Sequence, residues 1–139
     1  MLKLALWPML CGCVVLTDAP APDEEVRADC KAPDTQVEMT ICAGQDLKDA
    51  DKALNLQYKA TRDILRRQDI AASAPGMKGG EEALMTAQRA WMIYRDAQCQ
   101  SVGYKAQGGS MEPMLISTCQ TDLTRKRTGE LKALVDGMN

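Results

Sequence analysis

The chain contains no histidine and no phenylalanine. Without histidine, Ser-His-Asp and Cys-His catalysis fall away, and so does every His-ligated metal site. With aromatic residues at 4%, the core has to be built from Leu, Met, Ala, Ile and Val, a palette that suits packed helices. Strong charge of one sign is missing as well. Lys and Arg number 17 against 19 Asp and Glu, for a net charge of −2, which does not mark a nucleic-acid binder. No apolar run reaches the roughly 20 residues that a membrane-spanning helix needs. No Cys-x-x-Cys occurs, which speaks against a thioredoxin-like redox motif or a zinc knuckle. With no nucleophile elbow either, we expect no enzyme, no catalytic residue, no cofactor and no metal.

What is present fits one domain of 139 residues carrying an export signal. Residues 1–16 have the positive Lys3 followed by apolar stretches, interrupted by Pro8 and Gly12. Two ends of this signal are open. Leu10-Cys11-Gly12-Cys13 resembles a lipobox, so a cut before Cys13 would leave it as the lipid-carrying first residue. The other end is a small-residue cut near Ala19 or Ala21, where an adjacent proline is unfavourable. Lipidation at Cys13 is the expectation carried forward, which would make a lipid anchor the only membrane contact. Either cut leaves Cys30, Cys42, Cys99 and Cys119, which read as two disulfides in an exported small domain. Three pairings are open; Cys30–Cys42 with Cys99–Cys119 is favoured because both close short loops.

Residues 17–33 are acidic and Pro-rich and form an arm, and residues 34–139 form a helical domain. Thr35-Gln36-Val37-Glu38 is a capping box that starts the first helix. The stripe Met39, Ala43, Leu47, Ala50, Leu54, Tyr58, Thr61 and Leu65 steps by three or four to about Asp69. A breaker segment precedes a second helix opening at Glu81-Glu82, with inner stripe Leu84, Ala87, Trp91, Tyr94 and Gln98. Residues 100–113 read as a Gly-rich loop, and Pro113 fits the first turn of a third helix faced by Leu115, Cys119, Leu123, Leu131 and Leu134. The expected fold is therefore all-α, an up-down-up bundle of about three helices with two disulfides. Rise arithmetic brings Cys99 level with Lys52. That leaves the first half of helix one without helical cover, under the loop and the arm.

Most polar motifs have a structural reading. Trp91 and Tyr94 are expected in the core. Arg95 or Arg89 is expected to tie to Asp51 across the bundle. Asp46, Asp49 and Asp51 lack the spacing of a calcium loop and read as a solvated face. Charge is uneven: residues 23–51 hold nine acids and three bases, and residues 52–139 nine acids and thirteen bases. In an up-down-up bundle Arg62, Arg66 and Arg67 should meet Arg125, Lys126 and Arg127 at one end.

With these residues placed, the chain resembles the LprI-like family of exported bacterial proteins, named for a lipoprotein that inhibits lysozyme. The match runs through Cys30, Thr35–Ala43, Ala50–Asn55 with Tyr58, Ala87–Trp91 with Tyr94-Arg95-Asp96, Cys99, Cys119, Leu123-Thr124 and Arg127 to Leu131. The resemblance implies a disulfide-bearing helical envelope domain, periplasmic or anchored to the outer membrane, with lysozyme as its partner. It carries over no inhibitory residue. The alternative is a structural or envelope-interaction module without inhibitory activity. For an inhibitor, the loop between Cys99 and Cys119 is the expected contact, through Tyr104, Lys105 and Ser110. A cation and a hydroxyl suit a site that works with two carboxylates.

Overall fold

A computed structural model of the protein describes residues 28–72, 74, 76 and 79–138. The expected export signal at residues 1–16, Cys13 and the acids at 23–25 lie outside the described residues. Thr35 starts helix α1 (Gln36–Ala71) by the reciprocal cap that its sequence calls for. Its hydroxyl accepts the Glu38 backbone N–H at 3.2 Å, and the Glu38 carboxylate accepts the backbone N–H groups of Thr35 and Asp34 at 3.0 Å each. The helix buries Ala50, Leu54, Thr61 and Leu65, all members of the expected stripe. Near its far end, Asp69 reaches across to helix α2 (Gly80–Gly103). Its carboxylate accepts the backbone N–H groups of Gly79, Gly80 and Glu81 at 3.1, 3.0 and 2.9 Å. The orphan donors of one helix are thus satisfied by a side chain of another.

Helix α2 turns back along α1 and runs on to Gly103, beyond the end expected at Cys99. A 3-10 turn (Tyr104–Ala106) and five further residues then lead into α3 (Glu112–Val135), with Pro113 in its first turn. The result is the three-helix up-down-up bundle, with cystines Cys30–Cys42 and Cys99–Cys119. Leu54, Leu65, Leu84, Leu131 and Val135 form the core, and Tyr58, Ile64 and Trp91 pack against it.

Three expectations are corrected. The inner face of α2 is Leu84, Gln88, Cys99 and Gly103, whereas Ala87, Tyr94 and Gln98 are exposed. On α3 the buried residues are Thr121, Thr124, Leu131 and Val135, and Leu134 faces outward. Apolarity is a poor marker there because threonine hydroxyls bond backbone carbonyls and so bury cheaply. Thr121 donates to Ser117 at 2.9 Å, Thr128 to Thr124 at 2.9 Å, and Thr61 of α1 to the Leu131 carbonyl of α3 at 3.0 Å.

The second correction concerns cover. Contacts run from Gln36–Met114 to Gln68–Met138, so α3 accompanies α1 along its length, and theirs is the largest interface of the bundle. The first half of α1 is covered by a helix, not by a loop. Third, the basic clusters do not meet. By this alignment Arg66 and Arg67 lie level with the end of α3, roughly 15 Å beyond residues 125–127. Arg62 pairs with Glu81, Arg66 with Asp63 and Arg127 with Glu130, while Arg125 stands 3.9 Å from Asp46.

Candidate functional site

Residues 104–111 form the turn at the base of the bundle, beside the first turns of α1. It is a shorter and more structured feature than the loop expected over 100–113. Gly103, immediately before it, explains how α2 and α3 come so close there. A Cβ on Gly103 would stand 2.5 Å from Cγ1 of Ile116. Cys99, fully buried one turn earlier, is bonded to Cys119 of α3. Within the turn, Gln107 N–H donates to the Tyr104 carbonyl and Gly109 N–H to the Ala106 carbonyl. Gly108 has φ +74, a conformation that favours glycine, and its N–H donates to the Glu112 carboxylate at 2.8 Å. Glu112 therefore latches the turn from the first residue of α3.

The three sequence-predicted residues of this site are all exposed, but they do not share one groove. Tyr104, 69% exposed, lines a groove of about 490 Å³ with Gln100, Ser101, Gln107 and Glu112. Ser110 lines a separate, mainly apolar groove of about 270 Å³ with Gln36, Val37, Thr40 and Ile41 of α1. Lys105 lies in the 3-10 turn and borders neither. Sequence reasoning missed the α1 contribution. Its signal was the apolar i,i+4 pair Val37 and Ile41, which stands off the core stripe and is 58% and 38% exposed. The role of Glu112 was missed too, although a glutamate follows the Gly-Gly-Ser run by two residues.

Above the turn, Arg95 ties all three helices together. Its guanidinium donates to Asp51 of α1 at 2.9 Å, to Thr124 of α3 at 3.2 Å and to Asp96 of its own helix at 2.9 Å. It also lies 5.3 Å from the Trp91 ring centroid. Trp91 is half-buried against the core, whereas Tyr94 is 54% exposed, so only one of the pair is a core residue. Among the charged groups, the Thr35 backbone N–H, the Thr35 hydroxyl and the Asp34 N–H hold Glu38 below the usual carboxylate range. The hydrogen bond from Lys52, then that from Gln45, lowers Asp49, and Glu81 raises Arg62. Among the described residues no group of three or more His, Cys, Asp or Glu could hold a metal ion, and no helix is long and apolar enough to cross a membrane.

A family model described as "Lysozyme inhibitor LprI" matches residues 27–131, which takes in all but the last residues of α3. An uncharacterized protein of Rhizobium meliloti (strain 1021) is 44% identical over 120 residues, covering 85% of this chain and 86% of the relative. No solved structure matches the chain.

Proposed function

The chain belongs to the lysozyme inhibitor LprI family, and from that premise we propose that it is an exported envelope protein that binds a lysozyme and occludes its cleft with the turn at residues 104–111. Lipid attachment at Cys13 would hold it at the outer membrane; otherwise it acts in the periplasm. The observation that carries the reading is the bracing of the turn by the Cys99–Cys119 bond, by the close packing of Gly103 on Ile116, and by the Glu112 latch on Gly108. A contact surface ordered before binding loses little entropy on binding. On this scaffold Lys105 offers an ammonium and Ser110 a hydroxyl to a site holding two carboxylates. Gly108 and Gly109 let the backbone approach closely.

The rival contact is the acidic stretch 23–51 set against a cationic lysozyme surface. Several of its acids are already engaged: Glu38 in the cap, Asp49 with Lys52, Asp51 with Arg95. This favours the turn. In an assay of the purified protein against lysozymes of several classes, Lys105→Ala combined with Ser110→Ala is expected to weaken inhibition about tenfold or more. The helical CD spectrum should not change, since both residues are exposed. Wild-type inhibition by that double variant, with loss on neutralising Asp23, Glu24 and Glu25, would transfer the function to the acidic arm.

A further inference from the structure

We propose that the groove beneath Tyr104 is a saccharide-binding site. Its volume of about 490 Å³ falls within the range of small-ligand sites, roughly 300–1,000 Å³. Its lining is one exposed aromatic ring, two primary amides, a hydroxyl and a carboxylate: Tyr104, Gln100, Gln107, Ser101 and Glu112. Among the described residues the side chains of Tyr104, Gln100 and Gln107 take part in no hydrogen bond, so their donors and acceptors are available to a ligand. An anion would meet the Glu112 carboxylate. A cation would meet only that one carboxylate, with no second acid in the lining to complete its coordination. A wholly apolar ligand would leave two amides unpaired, which costs free energy. A pyranose chain meets all these conditions. Its C–H face is apolar and can lie on the phenol ring, while its hydroxyls, each both donor and acceptor, match amides that present both. The platform is braced before binding, because Gln100 and Ser101 lie in the last turn of α2, which the Cys99–Cys119 bond and Ile116 hold in place, and Tyr104 follows Gly103 directly.

This inference does not rest on the lysozyme reading, although the two share the Tyr104 ring and a bound saccharide would compete with the cleft for it. The probe is chitotetraose added to the isotopically labelled, disulfide-bonded protein and followed by NMR. Resonances of Gln100, Ser101, Tyr104 and Gln107 are expected to move in fast exchange, with a dissociation constant on the order of 1 mM. Tyr104→Ala should weaken binding about tenfold, and Gln107→Ala should weaken it too. Tyr94→Ala removes the exposed tyrosine that lies outside the groove and should bind as wild type does. The proposal is overturned if roughly 10 mM tetrasaccharide moves none of those resonances, or if Tyr104→Ala binds unchanged. A lysozyme assay reads the other proposal separately. Saccharide binding without lysozyme inhibition sinks the cleft reading alone, and inhibition without saccharide binding sinks this one alone.

Discussion

Single side chains in this protein do work that longer loops do elsewhere, and Asp69 is the plainest case. One carboxylate at the end of α1 accepts three backbone N–H groups at the start of α2, fixing the direction in which the second helix departs. Asp69→Ala is expected to cost about 2 kcal/mol, lowering the thermal midpoint by roughly 8 °C for a domain of this size. Asp69→Asn, which keeps an acceptor, should lose about half as much. Equal midpoints for wild type and the alanine variant would show that α2 does not depend on this cap. Glu38 makes a pH-dependent contribution of the same kind. Its folded pKa is lowered from the ordinary 4.5, so its share of stability is present above that value and lost as pH falls through the lower folded value. Thermal scans of wild type and Glu38→Gln should therefore differ at about pH 7 and converge in acid well below 4.5; a gap that persists in acid would contradict the capping role of the charge. The Thr35–Glu38 cap was legible because both partners lie within four residues. The Asp69 cap was not, because its donor and acceptor come from different helices and no local pattern joins them.

At the level of elements, the sequence supplied the number of helices, their order and the start of α1, because apolar steps of three and four residues are a local signal. It misplaced parts of two inner faces because residues other than large apolar ones are buried there, Thr121 and Thr124 on α3 and Gln88 and Gly103 on α2. Where helices approach closely, small hydroxyl residues such as Thr121 and Thr124 bury in place of larger apolar ones, and apolar spacing then points to the wrong stripe. Leu134 and Tyr94 were drawn inward by the same rule and are exposed. The two cystines also differ as elements. Cys99–Cys119 joins α2 to α3, whereas Cys30–Cys42 joins the arm to α1 near its start. Loop length alone separates sequence separations of 20 and 12 by only about 0.5 kcal/mol. We expect a wider gap in chemical denaturation. Replacing Cys99 and Cys119 by alanine should cost about 3 kcal/mol. Replacing Cys30 and Cys42 should cost less than about 1 kcal/mol, because residues 29–32 are exposed and their release is a local event. The reverse order of losses would mean that the arm, and not the α2–α3 junction, secures the bundle.

Across the whole molecule, charge and tether both bear on how a lysozyme would be met. The Cys30–Cys42 bond fixes the arm at the N-terminal end of α1, and Ser110 lies beside residues 36–41 at that same end. The described start of the acidic stretch, residues 28–41, and the turn therefore neighbour each other, and proximity alone does not tell which of them makes contact. Screening does. Between about 0.01 M and 1 M salt the Debye length shrinks from roughly 30 Å to 3 Å. A rim of exposed acids steering toward a cationic surface loses most of its attraction over that range, and association slows with it. A lysine enclosed in a cleft against two carboxylates is shielded from the bulk ions and loses far less. With the turn as the contact, the inhibition constant is expected to change by less than about threefold over this span. With the acidic stretch as the contact, it should weaken more than about tenfold, mainly through slower association. The Lys105→Ala variant gives the assay its internal reference. In the turn mechanism it weakens inhibition at every salt concentration by a similar factor. In the acidic-stretch mechanism, removing a positive charge from this end leaves inhibition unchanged or improves it at low salt, and that result would end the case for the turn.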